Sequence, residues 1–269
     1  MIREVTMEEI SDGRLYGPND MVKADCADCR GCSACCRGMG SSIVLDPLDI
    51  HRLVTGLGQP FGQLLQGKLE LNVADGIILP NLKMAGEEEC CVFLNEEGRC
   101  SIHAFRPGIC RLFPLGRIYE EVEETGAEAR PAIQLETQHA ERSFRYFLQV
   151  HECKNQNRTK VKVRKWIDMP DFAKYERFVA EWHYFLKDLQ KLIVLSDEAG
   201  NQASPHFDEP EAKKISLRLL NEFYIKPFAG IKGGTKDTIS DTTQPSAQPD
   251  FYVQFAARLR AVKAIYGLR

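Results

Sequence analysis

Apolar and polar residues alternate differently along the first and second parts of the chain. Short apolar runs between turn residues predict strands in the first part, over residues 42–45, 69–73, 77–79, 91–94, 132–135 and 144–150. The segment before about residue 24 is polar and is interpreted as a lead-in with no predicted element. We therefore expect short strands, rather than long helices, to organise this part of the protein.

One helix in this part has a clear start signal. Asp46 and Pro47 match an N-cap residue followed by proline at the first helical position. The predicted helix runs through Leu53 and ends at Gly56, and a second short helix is predicted over residues 61–66.

Beyond residue 153 the apolar residues recur at helical spacing. An aromatic stripe with steps of three or four residues predicts an amphipathic helix over residues 171–194, with the stripe in the core. The stripe consists of Phe172, Tyr175, Phe178, Trp182 and Phe185. Two later helices are predicted near residues 210–223 and 250–267. Residues 196–209 and 229–250 are rich in turn-forming and polar residues and are predicted to be linkers.

Composition places the chain among ordinary folded proteins. It has 269 residues, of which 43% are hydrophobic and 27% are charged, and its formal net charge is -3. This charge balance lacks the strongly basic signature of a dedicated nucleic-acid binder, so no nucleic-acid partner is expected. No apolar run approaches the roughly 18 residues of a membrane span, so no membrane partner is expected. The acidic start of the chain does not resemble a secretory signal, and we expect a cytoplasmic location.

The unusual feature is a set of ten cysteines that fall mostly into two runs. In a reducing cytosol, dense thiols are more often metal ligands or redox groups than structural disulfides. Cys26, Cys29, Cys32 and Cys36 have the C-x2-C-x2-C-x3-C spacing of bacterial ferredoxins, which favours iron and sulfur over zinc. Arg37 stands where that pattern has proline. Because neighbouring side chains tend to point apart, adjacent Cys35 and Cys36 are expected to serve different metals or different roles.

The second run carries motifs that are specific to one family. They are Cys91-Val92-Phe93-Leu94, Cys100-Ser101-Ile102, and Arg106-Pro107 followed by Cys110-Arg111 and Pro114. With Cys29-x2-Cys32-x2-Cys35-Cys36, these motifs resemble the CxxCxxCC cysteine-cluster family, also called the YkgJ family, over about residues 26–155. Members of this family are described as zinc- or iron-chelating proteins, and their relatives include flagellin lysine N-methylases.

The resemblance implies a set of metal ligands in this chain. They are Cys29, Cys32, Cys35, Cys36, Cys91, Cys100, Cys110 and Cys153. Cys26 and Cys90 lie outside the core motif. Cys26 is an optional extension of the ligand set, and packing as a small buried residue would explain Cys90. Eight thiols allow two tetrahedral zinc sites, a four-iron, four-sulfur cluster with a second site, or one cluster with spare thiols.

The sequence allows more than one role for several residues near the cysteines and for one basic stretch. His103 has a spacing compatible with ligation, but with so many thiols a surface or packing role is preferred. Arg106 and Arg111 flank Cys110, and either hydrogen bonds to thiolates or ordinary salt bridges would explain them. The basic stretch over residues 160–166 is interpreted as an exposed helix face.

These observations predict an α+β protein. Residues 1–157 would form a metal-organised cysteine-cluster domain with short strands and helices, and residues 158–269 a C-terminal helical lobe. The preferred function is an iron-sulfur protein with a four-iron, four-sulfur cluster. The resemblance to the family adds an open expectation, methyl transfer to lysines of a protein substrate with S-adenosylmethionine as methyl donor. The alternative is a zinc-stabilised binding module without catalysis. The chain has neither a Walker motif nor a G-x-G-x-x-G motif, so ordinary nucleotide-binding folds are disfavoured. No catalytic residue is assigned.

Overall fold

The computed structural model describes residues 6–26, 32–120, 143–155, 157–195, 210–228 and 250–268. It combines helices with short antiparallel strands, and helices make up the described part of the C-terminal region. The predicted α+β class is therefore confirmed. Within these described ranges, no helix has both the length and the apolar character needed to cross a membrane.

The helices differ strongly in length between the two ends of the chain. In chain order they are α1 (Met7–Ile10), α2 (Pro47–Leu57), α3 (Phe61–Leu64), α4 (Gly108–Leu112), α5 (Val163–Ile167), α6 (Phe172–Leu195), α7 (Pro210–Leu220) and α8 (Phe251–Ile265). A 3-10 turn covers Ala34–Cys36, and a π-helical turn, Asn221–Ile225, follows α7 directly.

All strand pairs in the described residues are antiparallel. The strands are β1 (Ser11–Tyr16), β2 (Met21–Asp25), β3 (Leu69–Ala74), β4 (Ile77–Leu82), β5 (Met84–Ala85), β6 (Cys90–Cys91), β7 (Leu115–Tyr119), β8 (Phe144–Gln149) and β9 (Thr159–Lys162). In the described ranges they form a three-stranded sheet in the order β1-β8-β7 and the two-stranded pairs β2-β9, β3-β4 and β5-β6.

The chain divides into two compact units, and each of them is discontinuous in sequence. The first unit contains the described residues of Cys29–Arg111 and Lys187–Arg269, and the second contains those of Arg3–Asp28 and Leu112–Leu186. The division into domains at residue 157 stays a prediction.

The core of the first unit lies between the β3-β4 hairpin and α7. The hairpin turns at Asp75 and Gly76, which both have positive φ angles, as the predicted Asp-Gly turn requires. The backbone N–H of Ile78 donates to the hydroxyl of Ser216 at 3.0 Å, which joins β4 to α7. The hydroxyl of Tyr224 donates to the carbonyl of Leu45 at 3.1 Å and anchors the π-helical turn.

The start of α2 agrees with its sequence signal. Asp46 is the N-cap, Pro47 occupies the first turn, and Asp49 completes a reciprocal capping box with Asp46. The end differs from the prediction, because the helix continues through Leu57 and ends at Gly58, not at Gly56. Gly58 has a φ of 64°, the left-handed conformation that suits a glycine C-cap.

The second unit contains the three-stranded sheet and the whole aromatic stripe. Gly116 on β7 pairs with Phe147 on β8, and a Cβ at Gly116 would overlap the Phe147 ring. Four residues of the predicted stripe are buried, which confirms its core role: Tyr175, Phe178, Trp182 and Phe185.

Some predicted elements differ in the structure. Residues 42–45 form only an isolated bridge, Val44 to Asn81, and the strand predicted over residues 91–94 is limited to Cys90–Cys91. The chain turns there, because the N–H of Leu94 donates to the carbonyl of Cys91 at 2.9 Å. The strand predicted over residues 132–135 lies outside the described residues.

The polar lead-in is not irregular. It contains α1, β1 and β2, and β1 pairs with β8 through Ser11 and Gln149. The basic stretch also differs from an exposed helix face, because β9 and α5 share it, and Val163 and Trp166 are buried.

Candidate metal centre

The first cysteine run places two thiols on a tight turn. Cys35 and Cys36 lie in the 3-10 turn Ala34–Cys36, which the N–H of Cys36 closes by donating to the carbonyl of Ser33 at 2.9 Å. The thiols of Cys35 and Cys36 hydrogen-bond to each other. The expectation that these neighbouring side chains point apart is therefore wrong, and their assignment to different metals stays a prediction.

The second run supplies three thiols from three local structures. Cys91 ends β6 and pairs with Met84 of β5. Cys100 forms an isolated bridge with Leu94, and Cys110 lies in α4. All three residues belong to the same unit as Cys35 and Cys36.

These five cysteines interact electrostatically with one another. The pKa of Cys36 is raised first by its hydrogen bond with Cys35, then by burial and by the charges of Cys35, Cys110 and Cys91. Cys35 likewise acts on the pKa values of Cys91, Cys100 and Cys110. We call the group Cys35, Cys36, Cys91, Cys100 and Cys110 the five-thiol cluster. It joins the two cysteine runs at one place.

Burial favours the neutral form of these thiols. It is the largest cause that raises the pKa values of Cys91, Cys100 and Cys110. Several thiolates close together in a buried site repel one another, so they need a compensating positive charge. A bound metal cation is the usual source of that charge.

Two of the thiols already receive backbone hydrogen bonds that favour the thiolate. The N–H of Phe93 donates to the sulfur of Cys91, and the N–H of Ile102 donates to the sulfur of Cys100, and each bond lowers the pKa of its thiol. The nearby Arg106 also lowers the pKa of Cys100. Hydrogen bonds of this kind orient and stabilise metal ligands.

Asp49 is a residue at the site that sequence reasoning missed. It is 4% exposed, and its Oδ1 accepts the N–H of Gly108 at 2.7 Å, at the start of the helix that carries Cys110. Its charge contributes to the raised pKa of Cys110, after burial. The capping-box spacing with Asp46 signals a helix start but does not reveal the contact with residue 108, which is distant in sequence.

The two flanking arginines have different surroundings. Arg106 lies within electrostatic range of Cys100. Arg111 is buried, and its guanidinium donates to the backbone carbonyls of Arg106, at 3.2 Å, and of Ala104. Arg111 therefore supports the backbone of the loop that precedes α4.

The other predicted ligands are not part of the five-thiol cluster. Cys29 lies outside the described residues, and Cys32 is half-buried, three residues before Cys35. Cys26 and Cys153 belong to the second unit, where the side-chain amide of Asn155 donates to the carbonyl of Cys26 at 3.4 Å. The full ligand set stays a prediction.

The donor chemistry of the cluster fits a thiophilic metal. Thiolates are the preferred ligands of structural zinc and of iron-sulfur clusters. In the part of the chain that the structure describes, no three His, Cys, Asp or Glu side chains are already arranged to hold one metal ion. The match between the five-thiol cluster and a thiophilic metal therefore rests on the thiol donors and the hydrogen bonds that they receive.

Comparison with known families agrees with this chemistry. Residues 28–131 match the family model CxxCxxCC, described as "Putative zinc- or iron-chelating domain". This segment is similar to the CxxCxxCC family. The matched residues of the CxxCxxCC domain include the whole five-thiol cluster, whereas Cys26 and Cys153 lie outside the match. The family model that matches is the predicted one, and the match supports metal chelation. No curated protein and no solved structure matches the chain.

Proposed function

We propose that this protein chelates metal through the five-thiol cluster and that the metal is held as an iron-sulfur cluster. The observation that carries the proposal is the meeting of both cysteine runs at one half-buried site, where Arg37 bridges to Cys90 and Cys35 acts on the pKa values of the second-run thiols. Backbone N–H donors at Cys91 and Cys100 supply the hydrogen bonds that bound thiolates need.

One feature favours iron and sulfur over zinc. The first run has ferredoxin-like spacing through Cys26, Cys29, Cys32 and Cys36. The number of thiols does not separate the two metals, because a structural zinc and a four-iron, four-sulfur cluster each take four ligands. A zinc-stabilised binding module without catalysis is the alternative.

The metal content tests this proposal directly. The full-length protein would be purified without oxygen, and its iron, zinc and acid-labile sulfide would be measured together with its visible absorption. We expect iron and sulfide with a broad visible band. Zinc without sulfide would contradict the iron-sulfur proposal and support the zinc module. No metal after reconstitution with either metal would contradict both.

The family resemblance supports a further step, methyl transfer to a lysine of a protein substrate. In this step the methyl group would pass from the sulfonium of S-adenosylmethionine to the lysine amine, which would lose a proton. The metal-loaded protein would be titrated with S-adenosylmethionine by calorimetry, with S-adenosylhomocysteine as a second probe. Lack of binding by both would contradict methyl transfer without affecting the metal proposal.

A further inference from the structure

Arg37 lies where the two cysteine runs meet, directly after Cys36. Its Nε donates to the hydroxyl of Ser33 at 3.3 Å, so it spans the turn that carries Cys35 and Cys36. Its Nη1 donates to the sulfur of Cys90 at 2.9 Å and to the carboxylate of Glu88. One guanidinium therefore contacts both cysteine runs.

The backbone reinforces this connection. Arg37 forms an antiparallel bridge with Cys90. The N–H of Gly38 donates to the carbonyl of Glu89 at 3.0 Å. Gly38 has a φ of 64°, a conformation that glycine adopts without strain. The segment after the Cys35–Cys36 turn is thus attached to the start of β6 by main-chain and side-chain bonds.

Cys90 and Cys91 have different roles at this junction. They are successive residues of a strand, so their side chains point to opposite faces. Cys91 is buried, and the charges of Cys100, Cys35 and, last, Cys90 act on its pKa, whereas Cys90 is half-buried and receives the Arg37 hydrogen bond.

We propose that Arg37, Glu88 and Cys90 form a clamp that holds the Cys35–Cys36 turn against β6 and preorganises the five-thiol cluster for metal. Arg37 and Glu88 are positioning residues, and Cys90 supports Arg37 rather than binding metal. The proposal rests on the proposed metal centre.

The clamp acts by holding the metal ligands in place before metal binds, and the strength of the Arg37–Glu88 ion pair is a minor contribution. The Arg37 and Glu88 side chains are 40% and 75% exposed, and exposed pairs contribute little stability alone. Here the same guanidinium also bonds Ser33 and Cys90, so its loss removes three side-chain bonds at once and leaves the two runs attached through main-chain bonds. Ordering the ligands before binding lowers the entropic cost of metal binding. Groups that orient ligands typically change metal affinity by about 10- to 100-fold.

The test uses the reduced, metal-free, full-length protein and Zn²⁺ as the probe. Zn²⁺ affinity and stoichiometry would be measured by competition with a chromogenic chelator. We expect Arg37→Met to weaken affinity by about ten-fold without changing stoichiometry. Arg37→Lys should recover part of the loss, because a lysine can pair with Glu88 but cannot also reach Ser33. Arg218→Met changes an exposed arginine of α7 and should have no effect.

Two further variants separate the roles of the clamp residues. Glu88→Gln should weaken affinity in the same direction as Arg37→Met, and it serves as the second variant if Arg37→Met does not fold. Cys90→Ser should keep the stoichiometry of the wild type. A lower stoichiometry in Cys90→Ser, or wild-type affinity in both Arg37→Met and Glu88→Gln, would overturn the proposal.

A readout without metal distinguishes failure of the clamp from failure of the proposed function. If the wild type binds no metal, the proposed function fails, and the clamp is judged from alkylation of the peptide that contains Cys35 and Cys36. A clamp predicts faster alkylation of this peptide in metal-free Arg37→Met than in the wild type and in Arg218→Met. Equal rates would overturn the clamp.

Discussion

Asp49 accepts hydrogen bonds from backbone groups in two separate segments of the first unit. One carboxylate oxygen accepts the N–H of Asp46 at 3.2 Å, and the other accepts the N–H of Gly108 at 2.7 Å. The buried carboxylate therefore connects the start of α2 to the helix that carries Cys110. Its removal leaves a buried N–H without its acceptor, which is costly in a site that excludes water.

We predict that Asp49→Ala lowers the free energy of unfolding by roughly 1–3 kcal/mol, as expected for an unsatisfied buried donor. Asp49→Asn keeps an oxygen that can accept the Gly108 N–H and should lose less. The measurement is urea denaturation of the metal-free protein followed by circular dichroism, with Glu87→Ala as an exposed control. Equal stability of Asp49→Ala and the wild type would show that the contact is not needed.

Cys90 and Cys100, which both belong to the second cysteine run, should respond differently to substitution by serine. Cys100 belongs to the five-thiol cluster and accepts the Ile102 N–H, whereas Cys90 contacts Arg37. We predict that Cys100→Ser lowers the metal content of the anaerobically purified protein and that Cys90→Ser does not. Elemental analysis of both variants provides the comparison. Full metal content in Cys100→Ser would remove Cys100 from the ligand set.

At the scale of elements, local signals predict well where the cause is local. The Asp46-Pro47 pair predicts the start of α2, and the aromatic stripe predicts α6 within one residue at each end, Phe172–Leu195. The pairing of Ser11 with Gln149 depends on residues far apart in sequence, so the polar character of residues 11–16 does not reveal β1. Short elements that rely on distant partners are the ones that the sequence misses.

The β7-β8 pair offers a stability test that does not involve metal. Gly116 leaves no room for a Cβ beside the Phe147 ring, which is buried. We predict that Gly116→Ala lowers the free energy of unfolding by about 1–3 kcal/mol, the usual cost of overpacking a core.

Gly62→Ala is the matched control for Gly116→Ala. Gly62 lies in α3, and no neighbouring atom lies within 4 Å of a Cβ built at that position. Alanine favours helix over glycine by up to about 1 kcal/mol, so this change should be neutral or slightly stabilising. Thermal unfolding of the two variants would contradict the packing argument if both showed the same shift.

At the scale of the whole molecule, the family and the α+β class follow from the sequence, but the arrangement of the site does not. The motifs identify Cys35, Cys36, Cys91, Cys100 and Cys110 as a group without showing which of them interact. Their adjacency in sequence predicts that the Cys35 and Cys36 side chains point apart, but their thiols hydrogen-bond to each other. The turn that carries them is attached to a strand distant in sequence, through the Arg37–Cys90 bridge. The same docking gives a role to Arg37, which appears in the sequence only as a departure from the ferredoxin pattern.

The first unit contains two kinds of structure that should respond differently to metal removal. The β3-β4 hairpin is held by buried apolar residues, including Leu69, Ile77 and Leu82, and by α7. The cysteine segments, in contrast, have short elements such as Ala34–Cys36 and Cys90–Cys91. Metal binding supplies folding free energy to segments that cannot bury enough apolar surface themselves.

We therefore predict that chelation of the metal speeds amide hydrogen exchange in peptides from residues 33–38, 90–94 and 100–111, with little change in β3 and β4. The comparison uses one protein with and without metal, followed by mass spectrometry, and restoring the metal should restore protection. The hairpin is the internal control because it belongs to the same unit but contains none of the cluster thiols. Equal acceleration in the hairpin and the cysteine segments would mean that metal stabilises the unit as a whole. Unchanged exchange in the cysteine segments would mean that the five-thiol cluster is organised without metal, by contacts such as the Arg37 bridge and the Asp49 hydrogen bonds.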